Sequence, residues 1–409
     1  MNIAIIVRRL DVKGGTQRQA LSLANELSRR GHIVKLYAIF YSREKCYPEL
    51  IGALPVISLD PALAREPVYP TLRRLPILRY FVTIAVILHE TKCARTLAFL
   101  IDRDTDILNP HDRVAHRAAA FFKRRVRRIP SVWNTNDTHS MRWVVDKLVD
   151  IDRAFRQPWW KRVVYSIRDW YENARYVSQQ DAIVVVDEFN RGLMKKYFNR
   201  DAIVVRNGPN AEHFQYRERT PPTRSVRLLT SGIFFPHRRF EDAITAVKYL
   251  RDGGVDVSLD IIGNPDSDRV YAEKLMHLVA ELGVGASVHF LGKVSEDELV
   301  RRYHENDLYL YPHHLQSDGL SPFEALSCGM PIIVSRSAGA HEVVRDHETG
   351  MVVDPKDPKG IARAVRELLE DPILYRKLSS EGAAFVRSNF SWQRYADGMC
   401  AVYDRVRAG

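Results

Sequence analysis

The side chains best able to do chemistry together lie in residues 307–342, DLYLYPHHLQSDGLSPFEALSCGMPIIVSRSAGAHE. Glu324 offers a carboxylate and Gln316 an amide; Asp318 adds a second acid, and Gly319, Leu320 and Ser321 bring backbone N–H groups. The pattern predicts a strand over 308–311 stopped by Pro312, a polar loop, a helix opened by Ser321-Pro322 and closed by Gly329, then a strand over 332–335. Serine at the N-cap with glutamate three residues on makes a capping box. Strand, glycine-containing loop and helix start in one unit aim free N–H groups and the positive helix end at an anion. A diphosphate can be held there without a metal ion.

The same stretch resembles the sugar-nucleotide signature of glycosyltransferase family 4. Glu324-Ala325-Leu326-Ser327-Cys328-Gly329-Met330-Pro331 matches the signature's second half, while its first glutamate falls on Gln316. The resemblance implies a retaining, metal-independent transferase using a nucleotide diphosphate sugar as donor, with no further cofactor. It also implies an α/β GT-B fold, with two doubly wound parallel-sheet, Rossmann-like domains facing across a cleft. In the family the second glutamate binds ribose and the first the donor sugar, so Glu324 and Gln316 inherit those roles. Gln316 carries no charge, and charge-assisted bonds are about twice as strong as neutral ones. Asp318, where the family often has an aromatic residue, can supply the missing carboxylate. The competing reading of Glu324 is that it only caps its helix.

Further donor residues follow by the same route. After Gly232, Ile233 stands where the family has arginine, and Arg238 where it has lysine. Arginine grips phosphate bidentately, so Arg238 is expected to take the diphosphate alone or with Arg239; a surface basic cluster is the alternative. Gly263, at the end of a central strand, and Lys293-Val294, in the turn that reads the base in the family, complete the donor side. A Gly14-Gly15 loop opens the chain's first strand–loop–helix–strand unit; the family places such a loop near donor phosphate and acceptor, while its spacing alone reads as a tight turn. His111 sits where many members hold a histidine against the donor sugar, and would there support charge developing on the ring. It reads equally as a structural hydrogen-bonder. Asn136 and Asp137 are acceptor-side candidates by position.

These residues divide the chain into an acceptor-side domain over 1–205, a Pro- and charge-rich linker over 206–224 and a nucleotide-sugar domain over 225–390. A last helix over 391–409 is expected to pack back on the first domain. Four scattered cysteines show no metal or CxxC spacing and read as reduced thiols. Asp102, Asp104 and Asp106 imitate a metal-binding pattern but precede a strand of the first domain, and read as loop carboxylates. The chain begins directly in a strand rather than a secretory signal, and its longest apolar run, 80–88, is short of the roughly 20 residues of a membrane span. A cytoplasmic protein is the expectation.

Charge is unevenly spread. Residues 1–200 hold 35 Lys+Arg and 20 Asp+Glu, a balance of +15, and the remainder balances at −4. No zinc-finger, RNP-type or leucine-zipper signature accompanies the excess, so nucleic acid is not an expected partner. An anionic membrane surface on the inner face is the preferred reading. Three stretches could meet it: the apolar and basic 69–88; a helix over 113–128 carrying Arg117, Lys123, Arg124, Arg125, Arg127 and Arg128; and the aromatic-basic segment 159–171. Each reads alternatively as a core-packed or solvated helix. The expected function is hexose transfer to a hydroxyl of a glycan or lipid-linked acceptor in cell-surface polysaccharide assembly. The alternative is a non-catalytic nucleotide- or glycan-binding partner; a sugar-nucleotide epimerase is a third, weaker reading.

Overall fold

The computed structural model describes residues 1–65, 78–210, 212–317 and 319–408, with backbone only at residues 78–83 and 154. The chain forms two compact units, Met1–Arg206 with Trp392–Gly409, and Asn207–Ser391.

In the first unit, β1 (Asn2–Leu10), β2 (Ile33–Tyr41), β3 (Val56–Ser58) and β4 (Ile107–Pro110) form a parallel sheet in the order β3-β2-β1-β4. β5 (Val132–Asn134), β6 (Ala182–Val185) and β7 (Ile203–Val204) form a second parallel sheet, tied to β4 by one parallel bridge, Leu108 to Ser131. β4, β5 and β6 are wholly buried, as expected of parallel strands covered on both faces. The helix Trp392–Ala408 belongs to this unit: Arg30 pairs with Asp397 at 2.7 Å, Tyr403 donates to Asn109 at 2.9 Å, and Asn134 bonds the Tyr395 hydroxyl.

The second unit carries one six-stranded sheet: β8 (Ser225–Ser231), β9 (Asp256–Ile262), β10 (Val288–Gly292), β11 (Leu308–Tyr311), β12 (Ile332–Ser335) and β13 (Met351–Val353). Its order is β10-β9-β8-β11-β12-β13, with every pairing parallel. The order reverses between β8 and β11. In the first unit it reverses between β1 and β4. Open parallel sheets bind ligands outside the carboxyl ends of their strands at such reversals.

Two expectations need correction here. The segment read as a linker is fastened to the second unit, because the Arg219 guanidinium donates to His304 O at 2.9 Å, Asn306 O at 3.0 Å and Cys328 O at 3.2 Å. It caps the carbonyl end of the helix Glu296–Glu305, where a cation is favoured. The basic helix is shorter than expected, Ala115–Arg125, and several of its cations face the protein. Arg117 is buried and grips Glu172 bidentately at 2.8 Å, while Lys123 binds Asp181 at 2.6 Å. Those two are therefore not part of a membrane-facing stripe. Of the two readings left open for the aromatic-basic segment, core packing is the one that fails: it forms the helix Trp159–Arg175, and its large apolar side chains are exposed.

Much of the stretch 69–88 lies outside the described residues; the helix Leu78–Leu100 follows it, and Cys93, Ala94, Leu97 and Ala98 enter the first unit's core. Among the described residues no helix is long and apolar enough to cross a membrane.

Candidate functional site

At the reversal in the second unit, the ends of β8 and β11 meet through their side chains. Ser231 Oγ and Tyr309 Oη lie 2.8 Å apart, both buried. Beyond Ser231 the chain turns at Gly232 into the short turn Pro236–Arg238, which brings the Arg238 side chain back over Gly232. Arg238 Nη1 reaches His313 Nδ1 at 3.1 Å, and His314 N donates to His237 O at 2.8 Å. The two loops leaving β8 and β11 are thereby fastened together. His313 in turn rests on Tyr311, with ring centroids 3.7 Å apart.

Arg238 pairs with no carboxylate among the described residues, and its buried Nε has no hydrogen-bond partner. Arg239 does not share this position. It takes the left-handed conformation (φ 54°) and spends its guanidinium on Glu241 at 2.7 Å and Asp242 at 2.6 Å. Two acids in the first turn of its own helix neutralise it, which removes it from the expected diphosphate pair. Ile233 is exposed beside them.

Glu324 is buried in the helix Ser321–Ser327, and its carboxylate receives the Tyr303 hydroxyl at 3.2 Å. The expected capping box does not form. Leu320 occupies the N-cap without a side-chain bond, and Ser321 is the first helical residue. The Tyr309 hydroxyl is pushed up to about 12, by burial first; Glu324 adds to the rise, and Arg238 opposes it. One buried phenol thus feels both charged candidates. Arg238 and Glu324 lie in the segments that leave the carboxyl ends of two neighbouring strands, β8 and β11.

The loop between them is shaped by close contacts. Gly319 (φ 67°) lies so near Tyr311 that a Cβ would stand 2.6 Å from the phenol oxygen. Gln316 bridges to Ala338, takes Gly339 N at 2.8 Å on its backbone carbonyl, and donates its side-chain amide to Ser317 Oγ at 3.0 Å. Asp318 lies outside the described residues. Gly263 closes the floor: its N–H donates to Gly292 O at 2.9 Å, and a Cβ would fall 2.0 Å from Gly232 O. Lys293 is exposed after Gly292, and Val294 packs on the core below. Cys328 is an inert neighbour, its thiol pushed up to about 12 chiefly by burial.

The first unit places its own candidates at its own reversal. His111 N continues the sheet by donating to Ile6 O at 2.9 Å. Asn109 donates its amide to Val132 O at 2.6 Å and Asn134 Oδ1 at 3.0 Å, so its Oδ1 accepts from Tyr403 and from His111 Nε2 at 2.9 Å. That fixes the proton on Nε2 and leaves Nδ1 a buried lone pair without a partner. Burial lowers the imidazole to about 3, so it stays neutral under ordinary conditions. Gly15 begins the helix Gly15–Arg29 and is exposed, with open space where a Cβ would be. Asn136 and Asp137 lie in the loop after β5, half-buried and exposed respectively.

Asp102 pairs with Lys35, and Asp106 accepts from Asn2 N at 2.8 Å, both at the start of the sheet. Among the described residues no group of three or more His, Cys, Asp or Glu is arranged to hold a metal ion. Sequence reasoning missed Tyr309, Tyr303 and His313. The two tyrosines read as apolar periodicity, and no local signal says that their hydroxyls serve buried polar partners.

This geometry has relatives. Residues 13–213 match the profile of Glycosyltransferase Family 4, and residues 213–385 match that of Glycosyl transferases group 1. The chain belongs to glycosyltransferase family 4 and is a glycosyltransferase of GT-B fold. It is 26% identical to a glycogen synthase of Mycobacterium tuberculosis over 312 residues, 74% of this chain and 70% of that one. A D-inositol 3-phosphate glycosyltransferase of Acidothermus cellulolyticus is 36% identical over 146 residues, 36% of this chain and 32% of the relative. Among solved structures, sucrose-phosphate synthase from Thermosynechococcus elongatus superposes with TM-score 0.77 at 18% identity, covering 100% of this chain and 99% of the other. Anabaena HepE, solved with UDP-glucose, superposes with TM-score 0.72 at 14% identity, covering 99% and 100%.

Proposed function

We propose that this glycosyltransferase moves a hexose from a nucleoside diphosphate sugar to a hydroxyl of a glycan or lipid-linked acceptor, with the anomeric configuration retained, in cell-surface polysaccharide assembly on the inner face of the membrane. One observation carries the reading. Arg238 is a half-buried guanidinium held in place by a histidine, with no carboxylate beside it among the described residues, at the sheet's reversal point. An unneutralised cation in that position suits the charge that appears on a departing diphosphate when the glycosidic C–O bond breaks. HepE, solved with UDP-glucose, supports the same class of donor.

In this scheme Glu324 takes the ribose hydroxyls and is kept oriented by the Tyr303 hydroxyl. Gln316 contacts the sugar through its amide. His111 offers Nδ1 as an acceptor for a sugar hydroxyl, and being neutral it orients rather than transfers a proton. Arg238 and nearby amides meet the diphosphate charge, and no metal ion is required by the scheme.

Gln316 and the exposed Ile233 support a second reading, since both replace charged residues of the family signature. On that reading the chain binds nucleotide or glycan without turnover. Incubation with UDP-, GDP- and ADP-hexoses and hydroxyl acceptors, following nucleoside diphosphate release and product anomer by NMR, separates the two. Transfer with retention is expected, and Glu324→Gln should weaken nucleoside diphosphate binding about tenfold to a hundredfold. Tight binding without transfer to any acceptor favours the second reading.

A further inference from the structure

The helix Trp159–Arg175 is built the wrong way round for a soluble surface. Its one buried residue is a carboxylate, Asp169, which accepts from Ser140 Oγ at 2.6 Å and Met141 N at 2.8 Å. The same inner side carries Glu172, gripped by Arg117, and Asn173, which donates to Phe198 O at 2.9 Å. Outward, at the spacing that defines one helical face, stand Trp160, Val163, Val164, Ile167, Trp170 and Tyr171. Ile167 is 60% exposed and Trp170 69%. Polar bonds hold the inner side, so the helix cannot roll to hide the outer one. Val144 and Leu148 of the preceding helix, Met141–Ile151, add to the exposed apolar surface.

The charge around this face identifies what it meets. Residues 153–168 contain five Lys or Arg and no Asp or Glu. Arg162 is partnered by Asp146 at 2.8 Å, whereas Arg153 and Arg156 have no ion pair among the described residues; Arg168 turns to the inner side, beside Asp169 and Glu172, and is no part of this edge. At the start of the helix, Arg156, Gln157, Pro158, Trp159 and Arg162 line an open recess of 470 Å³. Trp and Tyr beside aliphatic side chains, edged by cations, match the interfacial layer of a bilayer carrying negative headgroups. A purely apolar partner would not require the cations, and an acidic protein would not require a whole aliphatic face.

We propose that this outer face is a docking surface for an anionic lipid bilayer, with the helix lying in the plane of the interface. The inference stands on the first unit alone and does not rest on the donor reading. Its test uses the full chain and vesicles of phosphatidylcholine with and without phosphatidylglycerol, with no sugar nucleotide present. Sedimentation with the anionic vesicles, a blue shift of tryptophan emission and quenching by brominated lipid are expected. The pair Ile167→Ser and Trp170→Ser should fold normally, because both side chains are exposed, and should lose binding by about tenfold or more. Each of Arg156→Gln and Lys161→Gln should cost roughly fivefold, with the loss masked at high salt. Equal binding to neutral and anionic vesicles, or unquenched tryptophans in bound wild-type protein, would overturn the proposal. So would absence of vesicle binding together with a dimer that Ile167→Ser and Trp170→Ser convert to monomer, since a second copy would then cover the face.

Discussion

Arg238 Nη1 stands 3.1 Å from His313 Nδ1, a contact that joins the loops leaving β8 and β11 across the reversal of the sheet. A guanidinium only donates, so His313 presents a bare Nδ1 and acts as a positioning partner. Arg239, the next residue, is neutralised by Glu241 and Asp242. The two neighbours should therefore separate experimentally. Arg238→Ala is expected to lower kcat by about a hundredfold to a thousandfold with little change in thermal midpoint, the size seen when one preorganised charge donor is removed. Arg238→Lys should recover part of the loss. Arg239→Ala should leave turnover near wild type and lower stability, because its two acids lose their cation. Steady-state kinetics beside thermal melts of the three variants give the comparison; equal kinetic loss at both positions would refute the assignment.

How much of this was legible beforehand depends on whether a feature is local. The strand–loop–helix–strand order around Glu324 could be read because Pro312, Gly329 and the apolar runs punctuate it within a few residues. The capping box could not be judged that way. The N-cap falls on Leu320, one residue before the serine that the pattern offers, and a one-residue shift of a helix start carries no local signal. Arg117 and Lys123 read as surface cations because sequence spacing shows a helix's faces and not which of them a distant Glu172 or Asp181 will claim. The helix Trp159–Arg175 shows the same limit from the other side, its apolar stripe correctly periodic and turned to solvent. Arg219 was hidden for a related reason, since its partners are backbone carbonyls that carry no residue-type signal.

Acid should lower the protein's stability over two distinguishable pH windows. Burial lowers His111 to about 3 from its ordinary 6.5, so the unfolded chain takes up a proton that the folded one refuses. Its stabilising share is present above about 6.5 and falls as pH drops from there towards 3, amounting to about 2 kcal/mol lost by about pH 5. His304, lowered to about 4 by burial, acts in the same sense. Glu172 is different. Burial raises it, but the nearby His116 and the bidentate Arg117 outweigh that and hold it at about 2, below its usual 4.5. Its share is present above 4.5 and is lost as pH falls towards 2. Urea denaturation across that range should show His111→Gln flattening the upper slope and Glu172→Gln the lower one. Identical slopes in wild type and His111→Gln would show that the histidine is already exposed to protons.

Two glycines expected near the donor should answer to different demands. A Cβ at Gly263 would fall 2.0 Å from the Gly232 carbonyl and 2.9 Å from the Phe234 ring, so backbone or core must move. Gly263→Ala should destabilise the second unit by about 1–3 kcal/mol, as overpacking does. Nothing of the chain lies within 4 Å of a Cβ at Gly15, and a helical first residue favours alanine over glycine. Gly15→Ala should therefore melt at or above the wild-type temperature. If the open space at Gly15 receives substrate, the same variant will raise KM or lower kcat; unchanged kinetics would assign the glycine to its turn alone.

The most informative single substitution is Gln316→Glu. Gln316 is buried, its backbone carbonyl is fixed by Gly339 N, and its side-chain amide donates to Ser317 Oγ at 3.0 Å. A carboxylate of the same length keeps that geometry if the Ser317 hydroxyl reverses its role and donates. It would then offer a charged acceptor in place of an amide, and charged hydrogen bonds contribute roughly 1.5–3 kcal/mol against about 1 for neutral ones. If the chain turns over sugar nucleotides through this position, Gln316→Glu should change kcat/KM severalfold and shift the ranking of hexose donors, while nucleoside diphosphate alone binds as before. Calorimetry with nucleoside diphosphate and kinetics with the full sugar nucleotides read the two separately. Unchanged ranking with every donor would remove Gln316 from sugar recognition and leave Glu324 and Arg238 with the nucleotide and phosphate alone.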